Sequence, residues 1–585
     1  MRKKRLKAFA ALAAVAALGL TACGGNGGSG GNGSGASGSE KFNAALGSVW
    51  QPSDKKGGIL KLGQAGDWAD SVDPGNTYYG YSWDFLRTYA RSLVMFRPAA
   101  GKASEELVPD LAENLGKASD GGKTWTYTIR KGVKFEDGKE VTAADVKYAV
   151  ERSFDKTVLA LGPAYFDAML DWPAGYKGAY KSADMNTDSA IETPDKYTIV
   201  FHLKAPFAGF DYLAQLPQTA PVPKAADTGA KYKTHVVSTG PYKWKTYSPG
   251  KKYELERNPA WDQSTDPNRK ALPDGYEITL NMNPDDVDNQ VIAGDIDVDI
   301  QGTGVQPAAL SRVLGDPNLK ARADNPTTSR LWYTNLIPTV APFDNIDCRK
   351  AVQFAMDKTS YQNAYGGPFA GGDLATTLLP PVIPGYEKFD LYPAGPDNKG
   401  DLDAAKKSLS ACGQPNGFSA TIAYRAERPK EKATAEAFQQ ALDRVGIKLD
   451  LKPLPEATYS SDTCGDPNYR KQRKIGMCVY GWGADWNDGF GFLSQIVDSR
   501  TMRPGAANMN VDLPEVDKML DEAMSELDKN KREADWAAID KTVMEQALIY
   551  PGVYAKSVLV RPKNATNVFV NEAFGYYDYL AMGAK

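Results

Sequence analysis

Short stretches in which apolar and polar residues alternate are spread along the chain. Alternation with period two marks a half-buried strand. It occurs in GGILKLG (57–63), KYTIVFHLK (196–204), YELERNPAWD (253–262), GYEITLNM (275–282) and GDIDVDI (294–300). GKTWTYTIRKGVKFEDG (122–138) alternates like both arms of a hairpin, with Trp125, Tyr127 and Ile129 on one face. Other stretches repeat at helical spacing. TYARSLVMF (88–96) is one, and VTAADVKYAVERSF (141–154) is another, with a stripe of Val146, Ala149, Val150 and Phe154. Thr142 is a good N-cap there, and Asp145 three residues on completes an acidic capping box. CRKAVQFAMDKTSY (348–361) and KATAEAFQQALDRVG (432–446) read as amphipathic helices, the second followed at once by strand IKLDLKPL (447–454). LPEVDKMLDEAMSEL (513–527) and READWAAIDKTVMEQAL (532–548) pair as late helices, and VYAKSVLV (553–560) and TNVFV (566–570) are closing strands. Helices and strands mix throughout, which predicts an α/β fold with several lobes.

Composition adds scale. The chain has 585 residues, 42% hydrophobic and 24% charged, enough for two or three globular domains. Net charge is −3, and without the five cations Arg2, Lys3, Lys4, Arg5 and Lys7 the remainder carries −8. A mildly acidic body gives no electrostatic reason to expect nucleic acid as a partner.

The N-terminus sets the compartment. A basic MRKKRLK precedes an apolar run, Ala8–Leu20, too short for a bilayer span of about 20 residues. It fits a secretory signal peptide over residues 1–22. LTAC, ending at Cys23, resembles the lipobox of bacterial lipoproteins, which implies lipidation of Cys23. Residues 24–39 are only Gly, Ser, Asn and Ala, a flexible tether with a reach of roughly 20–24 Å. The tether region is taken to run from 23 to 56. Export favours disulfides. Cys348, Cys412, Cys464 and Cys478 allow three pairings. The favoured one joins Cys464 to Cys478, nearest in sequence, and leaves Cys348 with Cys412.

Catalytic signatures are sparse. The chain has no H-E-x-x-H and no C-x-x-C, and its two histidines, His202 and His235, are too few for a histidine-rich metal site. Gly121-Gly122-Lys123-Thr124 hints at a phosphate loop, but Lys117 stands where the first glycine belongs. Asp295, Asp297 and Asp299 alternate like a calcium loop, but Ile300 and Gln306 occupy the positions that need Gly and Glu. The simpler expectation is three acids on a solvent face. No carboxylate pair is singled out for a secreted glycosidase, which stays a remote alternative.

Several blocks, taken together and in order, resemble the extracytoplasmic solute-binding proteins of peptide ABC importers, solute-binding family 5. They are GGILKLG, SVDPGNTYYG (71–80), IRKGVKFEDGKEVTAADVKYAVERSF (129–154), STGPYKWKTYSPGKKYELERNPAWD (238–262), PFDNIDCRKAVQFAMDK (342–358), GIKLDL (446–451) and GWGADWND (481–488). The resemblance spans about residues 57 to 584. It implies a two-lobed periplasmic-binding-protein-like α/β fold with crossing hinge strands and an extra domain. Lobe one would be 57–82, 188–330 and 549–585, the inserted domain 83–187 and lobe two 331–548, with hinges near Leu331 and Ile549.

The resemblance also implies a role and a site. The protein would be a non-enzymatic lipoprotein on the outer face of the cell membrane, held there by its lipid alone. It would act as a monomer without cofactor or metal, capturing short peptides for ABC permease and ATPase subunits. An oligosaccharide or a metal chelate is the alternative ligand. Asp485 would take the ligand's α-ammonium, Gly481 and Gly483 would let its backbone approach, and Trp482 and Trp486 would exclude water. Tyr78, Tyr79 and Gly80 would face the ligand from the other lobe. Arg425 and Arg428 are candidates for its carboxylate. The sequence departs from the family at Trp486-Asn487, where relatives often carry Tyr and Pro.

Overall fold

The computed structural model describes residues 41–68, 71–426, 428–502 and 506–585. The signal segment and the expected lipidation site at Cys23 lie outside the described residues. Three sheets organise the chain. The first has five strands in the order Val298–Asp299, Ile59–Ala65, Gly275–Met282, Lys252–Arg257, Tyr242–Ser248. Ile59–Ala65 runs parallel to Gly275–Met282, with Leu60 opposite Tyr276. Leu60, Leu62, Tyr253, Leu255, Tyr276 and Ile278 bury its inner face.

The second sheet is antiparallel, in the order Lys117–Ser119, Thr124–Thr128, Thr198–His202, Ile191–Asp195. Trp125, Tyr127 and Ile129 are buried together, as their spacing predicts. The expected hairpin within 122–138 does not form. Thr198–His202 takes the place of its second arm, pairing Phe201 with Trp125, and Lys117–Ser119 takes the other edge. Helix Ala143–Ser153 follows the predicted pattern. The Asp145 carboxylate accepts from the Thr142 N–H at 2.8 Å and from its hydroxyl at 2.7 Å.

The third sheet has six strands in the order Gly372–Leu374, Ile549–Lys556, Thr327–Leu336, Ile475–Gly483, Ser419–Arg425, Lys448–Leu454. Ser419–Arg425 and Lys448–Leu454 are parallel and joined by helix Pro429–Asp443, the crossover that parallel neighbours require. Leu336, Ile422, Phe438, Met477, Tyr550 and Val553 form the core beneath. The disulfides are Cys348–Cys412 and Cys464–Cys478, with Cα separations of 5.4 and 6.3 Å.

Four local expectations change. The 88–96 run is no helix: the helix is Gly80–Leu86, and Val94–Phe96 is a strand. Backbone N–H groups of Arg91 and Leu93 donate instead to the hydroxyls of Thr239 and Thr219. The 348–361 stretch is two helices, Ile346–Ala355 and Lys358–Tyr365, because Asp357 caps the second by accepting from the Ser360 N–H at 2.9 Å. The acids of 294–300 do not share a solvent face. Asp297 is buried and accepts from the Lys61 N–H at 2.8 Å. Residues 41–56, expected as the end of the tether, pack on the body: Trp50 is buried and its N–H donates to the Val568 carbonyl at 2.8 Å.

Candidate functional site

Strand Ile475–Gly483 has two unlike edges. On one side it pairs antiparallel with Thr327–Leu336 along its length, from Leu336–Met477 to Arg330–Gly483. On the other, its parallel ladder to Ser419–Arg425 ends at Ala423–Cys478. The Tyr459 hydroxyl sits where the two strands part, 2.9 Å from the carbonyls of both Ala423 and Val479. Among the described residues Tyr480–Gly483 therefore present an edge with no strand partner on that side, the kind of edge that can accept an added extended chain.

Gly481 and Gly483 have a nearer reason to be glycine than an approaching ligand. A Cβ on Gly481 would stand 2.2 Å from the Trp332 ring, and one on Gly483 would stand 3.3 Å from Arg330 Nη2. The two glycines make room for side chains of the neighbouring strand.

The chain then turns through Asp485, whose N–H donates to the Gly491 carbonyl at 3.0 Å. Asp488 caps the following helix, Gly489–Val497, by accepting from the Phe490 N–H. Asp485 is met by two remote segments: the hydroxyls of Tyr78, at 2.9 Å, and of Tyr165 both donate to its Oδ2. Among the described residues no lysine or arginine pairs with it. Burial pushes its carboxyl up to about 6, against the opposing pull of the two phenols. Burial, and then the Asp485 charge, raise the Tyr78 phenol as well. Asp485 and Tyr78 nonetheless keep accessible surface. Surface that stays open while protein surrounds it is the mark of a concave wall.

The remaining expected residues divide. Trp486 is 2% exposed. Its ring lies edge-on to Tyr165 at 4.7 Å and supports that phenol from the core. Trp482 is half-buried and pairs across to Leu331. Tyr78 stacks on Trp83 at 5.8 Å, and Tyr79 is half exposed. A Cβ on Gly80 would lie 3.5 Å from the Tyr576 ring, so Tyr78, Gly80 and Tyr576 share one wall. Arg425 is held by Glu431, which accepts its Nε–H at 2.8 Å, and Arg428 also stands 3.7 Å from Glu431.

Two residues of this site carry no sequence signal. Tyr165 lies on a short helix, Tyr165–Met169, outside the blocks quoted above. Arg330 lies on strand Thr327–Leu336, with its guanidinium 5.1 Å over the Trp332 ring. Neither is reachable from local pattern, because each is placed by pairing between distant segments.

The arrangement is an acid met by two phenols beside an unpartnered strand edge, in a chain organised by three separate sheets, and its structural matches are to two-lobed periplasmic binding proteins. Comparison with known proteins carries this further: the chain belongs to the bacterial extracellular solute-binding proteins, family 5, whose pattern it matches over residues 106–503. That is a class of extracytoplasmic, non-enzymatic components of peptide-binding ABC transport systems. The chain is similar to the probable D,D-dipeptide-binding periplasmic protein DdpA of Escherichia coli K12, with 26% identity over 500 residues, 84% of this chain and 87% of that one. It is 25% identical to the glutathione-binding protein GsiB of Shigella dysenteriae over 80% of its own length and 84% of that protein's. Its fold matches the clavulanic acid biosynthesis oligopeptide binding protein 2, with a TM-score of 0.90 and 42% identity, covering 93% of this chain and 98% of that one. It also matches the Helicobacter pylori periplasmic binding protein DppA in complex with the peptide STSA, with a TM-score of 0.67 and 21% identity over 91% and 99% of the two chains. No helix among the described residues is long and apolar enough to cross a membrane.

Proposed function

We propose that this protein captures short peptides by their free N-terminus and delivers them to an ABC permease. The observation that carries the reading is Asp485: a carboxylate in a recess, served by two phenols and by no cation among the described residues. An α-ammonium is the complementary group, and a charge-assisted bond in such a site outweighs a neutral one. The edge at Tyr480–Gly483 would take the peptide's main chain, so recognition would depend little on side chains. The relatives named for D,D-dipeptide binding (a probable assignment), for glutathione binding and for a complex with the peptide STSA agree with this ligand class.

The same reading divides the body into a lobe built on the five-stranded sheet, a lobe built on the six-stranded sheet and an insert between them. Drawn by sheet membership, the insert extends past 187 to include Ile191–Asp195 and Thr198–His202. Thr327–Leu336 and Ile549–Lys556 then belong to the second lobe, and the hinges lie just outside them. Lipidation of Cys23 would hold the protein at the membrane, and a Cys23→Ala variant would be released into the medium.

Calorimetric titration tests the central claim. Short peptides should bind, and their N-acetylated forms should bind at least tenfold more weakly. Equal affinity for both forms would remove Asp485 from the mechanism.

A further inference from the structure

Of the alternating acids Asp295, Asp297 and Asp299, the second is taken by the Lys61 N–H. The third opens onto a recess that the peptide reading does not use. This recess holds about 390 Å³ of empty space, part of it open to solvent. Helix Pro284–Ala293, the edge strand Val298–Asp299 and strand Leu559–Val560 wall it. Neither Tyr78, Tyr165 and Asp485 nor the Tyr480–Gly483 edge lines it.

Two carboxylates reach this space from different elements. Asp288, on the helix, is only 6% exposed. Its Oδ2 accepts from the Gln306 N–H at 2.7 Å, and its Oδ1 has no hydrogen-bond partner among the described residues. Asp299, on the strand, accepts from the Gln301 N–H at 3.0 Å and from the Thr303 hydroxyl at 3.4 Å. Burial pushes the Asp299 carboxyl up to about 6, and the charge of Asp288 adds to the rise. Burial likewise pushes Asp288 up to about 6, with Asp285 adding and Arg312 opposing. Arg312 is itself exposed and donates to Asn289 at 2.8 Å. Among the described residues no lysine, arginine or histidine forms an ion pair with either acid.

Two buried like charges without a counter-ion are costly, and a guest cation offsets that cost. The walls select the kind of cation. Val291, Val298, Val305, Val558, Leu559 and Val560 are aliphatic. The Tyr577 and Tyr579 rings also line the recess, but their hydroxyls are spent on Asp324 and the Ile300 carbonyl. A calcium-like ion needs six or more oxygens, and among the described residues no group of three or more His, Cys, Asp or Glu side chains is placed to hold a metal. An ammonium on a short aliphatic body matches both features of the recess, acids for its head and valines for its body.

We propose that this recess binds a small organic ammonium ion, its head on Asp288 Oδ1 and Asp299 and its alkyl part on the aliphatic walls. The inference goes beyond the peptide reading and gives the chain a second, separate amine site. Leu559–Val560 follows Ile549–Lys556 in the chain and pairs with Ala323–Asp324, so the guest lies beside a proposed hinge.

The test uses the full chain and n-propylammonium at pH 8, with sodium at equal ionic strength, 1-propanol and calcium as comparators. Thermal melting against concentration reads affinity. Asp485→Asn serves as a background, because an amine can also enter the peptide site. n-Propylammonium should raise the melting temperature of Asp485→Asn as well as of wild type, and sodium and 1-propanol should not. Asp288→Asn and Asp299→Asn keep an oxygen for the Gln306 and Gln301 N–H groups and shed a buried charge. Both should therefore melt no lower than wild type. Each should weaken n-propylammonium about 10- to 100-fold, the range for hydrogen bonds to charged groups, and leave peptide binding unchanged. A response lost in Asp485→Asn and kept in Asp288→Asn would move the amine to the peptide site and overturn the proposal. An equal response to 1-propanol, a larger one to calcium, or none to n-propylammonium would overturn it too. Peptides bound alike with and without N-acetylation, alongside an amine response that depends on Asp288, would sink the peptide reading and uphold this site.

Discussion

Tyr165 and Asp485 lie 320 positions apart, yet the hydroxyl of the first donates to the carboxylate of the second. Tyr78 reaches the same oxygen from a third segment. The contact ties three distant stretches of chain at one acid and keeps that acid supplied with neutral donors. It also makes the acid's proton affinity adjustable from outside its own loop.

Replacing Asp485 with Asn removes the charge and keeps the shape. Affinity for free peptides should fall about 10- to 100-fold, and acetylated peptides should then bind as well as free ones. Titration calorimetry reads both effects.

Acidification should work in opposite directions on stability and on binding. Burial raises the Asp485 carboxyl from 3.8 to about 6. Between those values the folded protein holds a proton that the unfolded chain has lost, so this group's contribution to stability falls as pH rises through that window. Ammonium capture needs the ionised form. With about a tenth of the carboxyl ionised one unit below its pKa, affinity at pH 5 should be about tenfold weaker than at pH 8. The Asp485→Asn variant should lose this binding profile.

The phenol of Tyr165 lowers the Asp485 pKa. Tyr165→Phe should therefore move the binding midpoint to higher pH with little effect on affinity at pH 8. A midpoint that stays in place would show that the contact has no influence on the acid.

Gly481→Ala would drive a methyl into the Trp332 ring, 2.2 Å away. Overpacking of this kind costs about 1–3 kcal/mol, visible as a lower melting temperature. Gly483→Ala meets only the tip of a flexible arginine and should cost less.

The two disulfides close loops of unequal length, with sequence separations of 64 and 14. In the chain-entropy picture the longer contributes about 4 kcal/mol and the shorter about 3. Denaturant titration of the two double-alanine variants should rank them in that order.

Much of this was legible in the chain. The capping box at Thr142 and Asp145, the face of Trp125, Tyr127 and Ile129, and both cysteine pairs follow from short-range pattern and counting. Where reading failed, a distant segment had taken over a local group. Asp297 is drawn inward by the backbone of Lys61, and the N–H groups of Arg91 and Leu93 are claimed by Thr239 and Thr219. Tyr165 and Arg330 could not be found at all from sequence. A tyrosine or an arginine acquires its meaning only from what folding puts opposite it. Gly481 was flagged as special, and the Trp332 ring on the neighbouring strand places a demand on it that local pattern does not show.

Tyr459 has a consequence out of proportion to its size. Its hydroxyl stands at the fork between two strands of one sheet, and the point at which it parts them fixes how much of Ile475–Gly483 is left bare. Under the proposed capture of a peptide's amine at Asp485, the fork and the acid beyond Gly483 would bound the bare edge at its two ends, and the length of an extended guest would then matter before its composition.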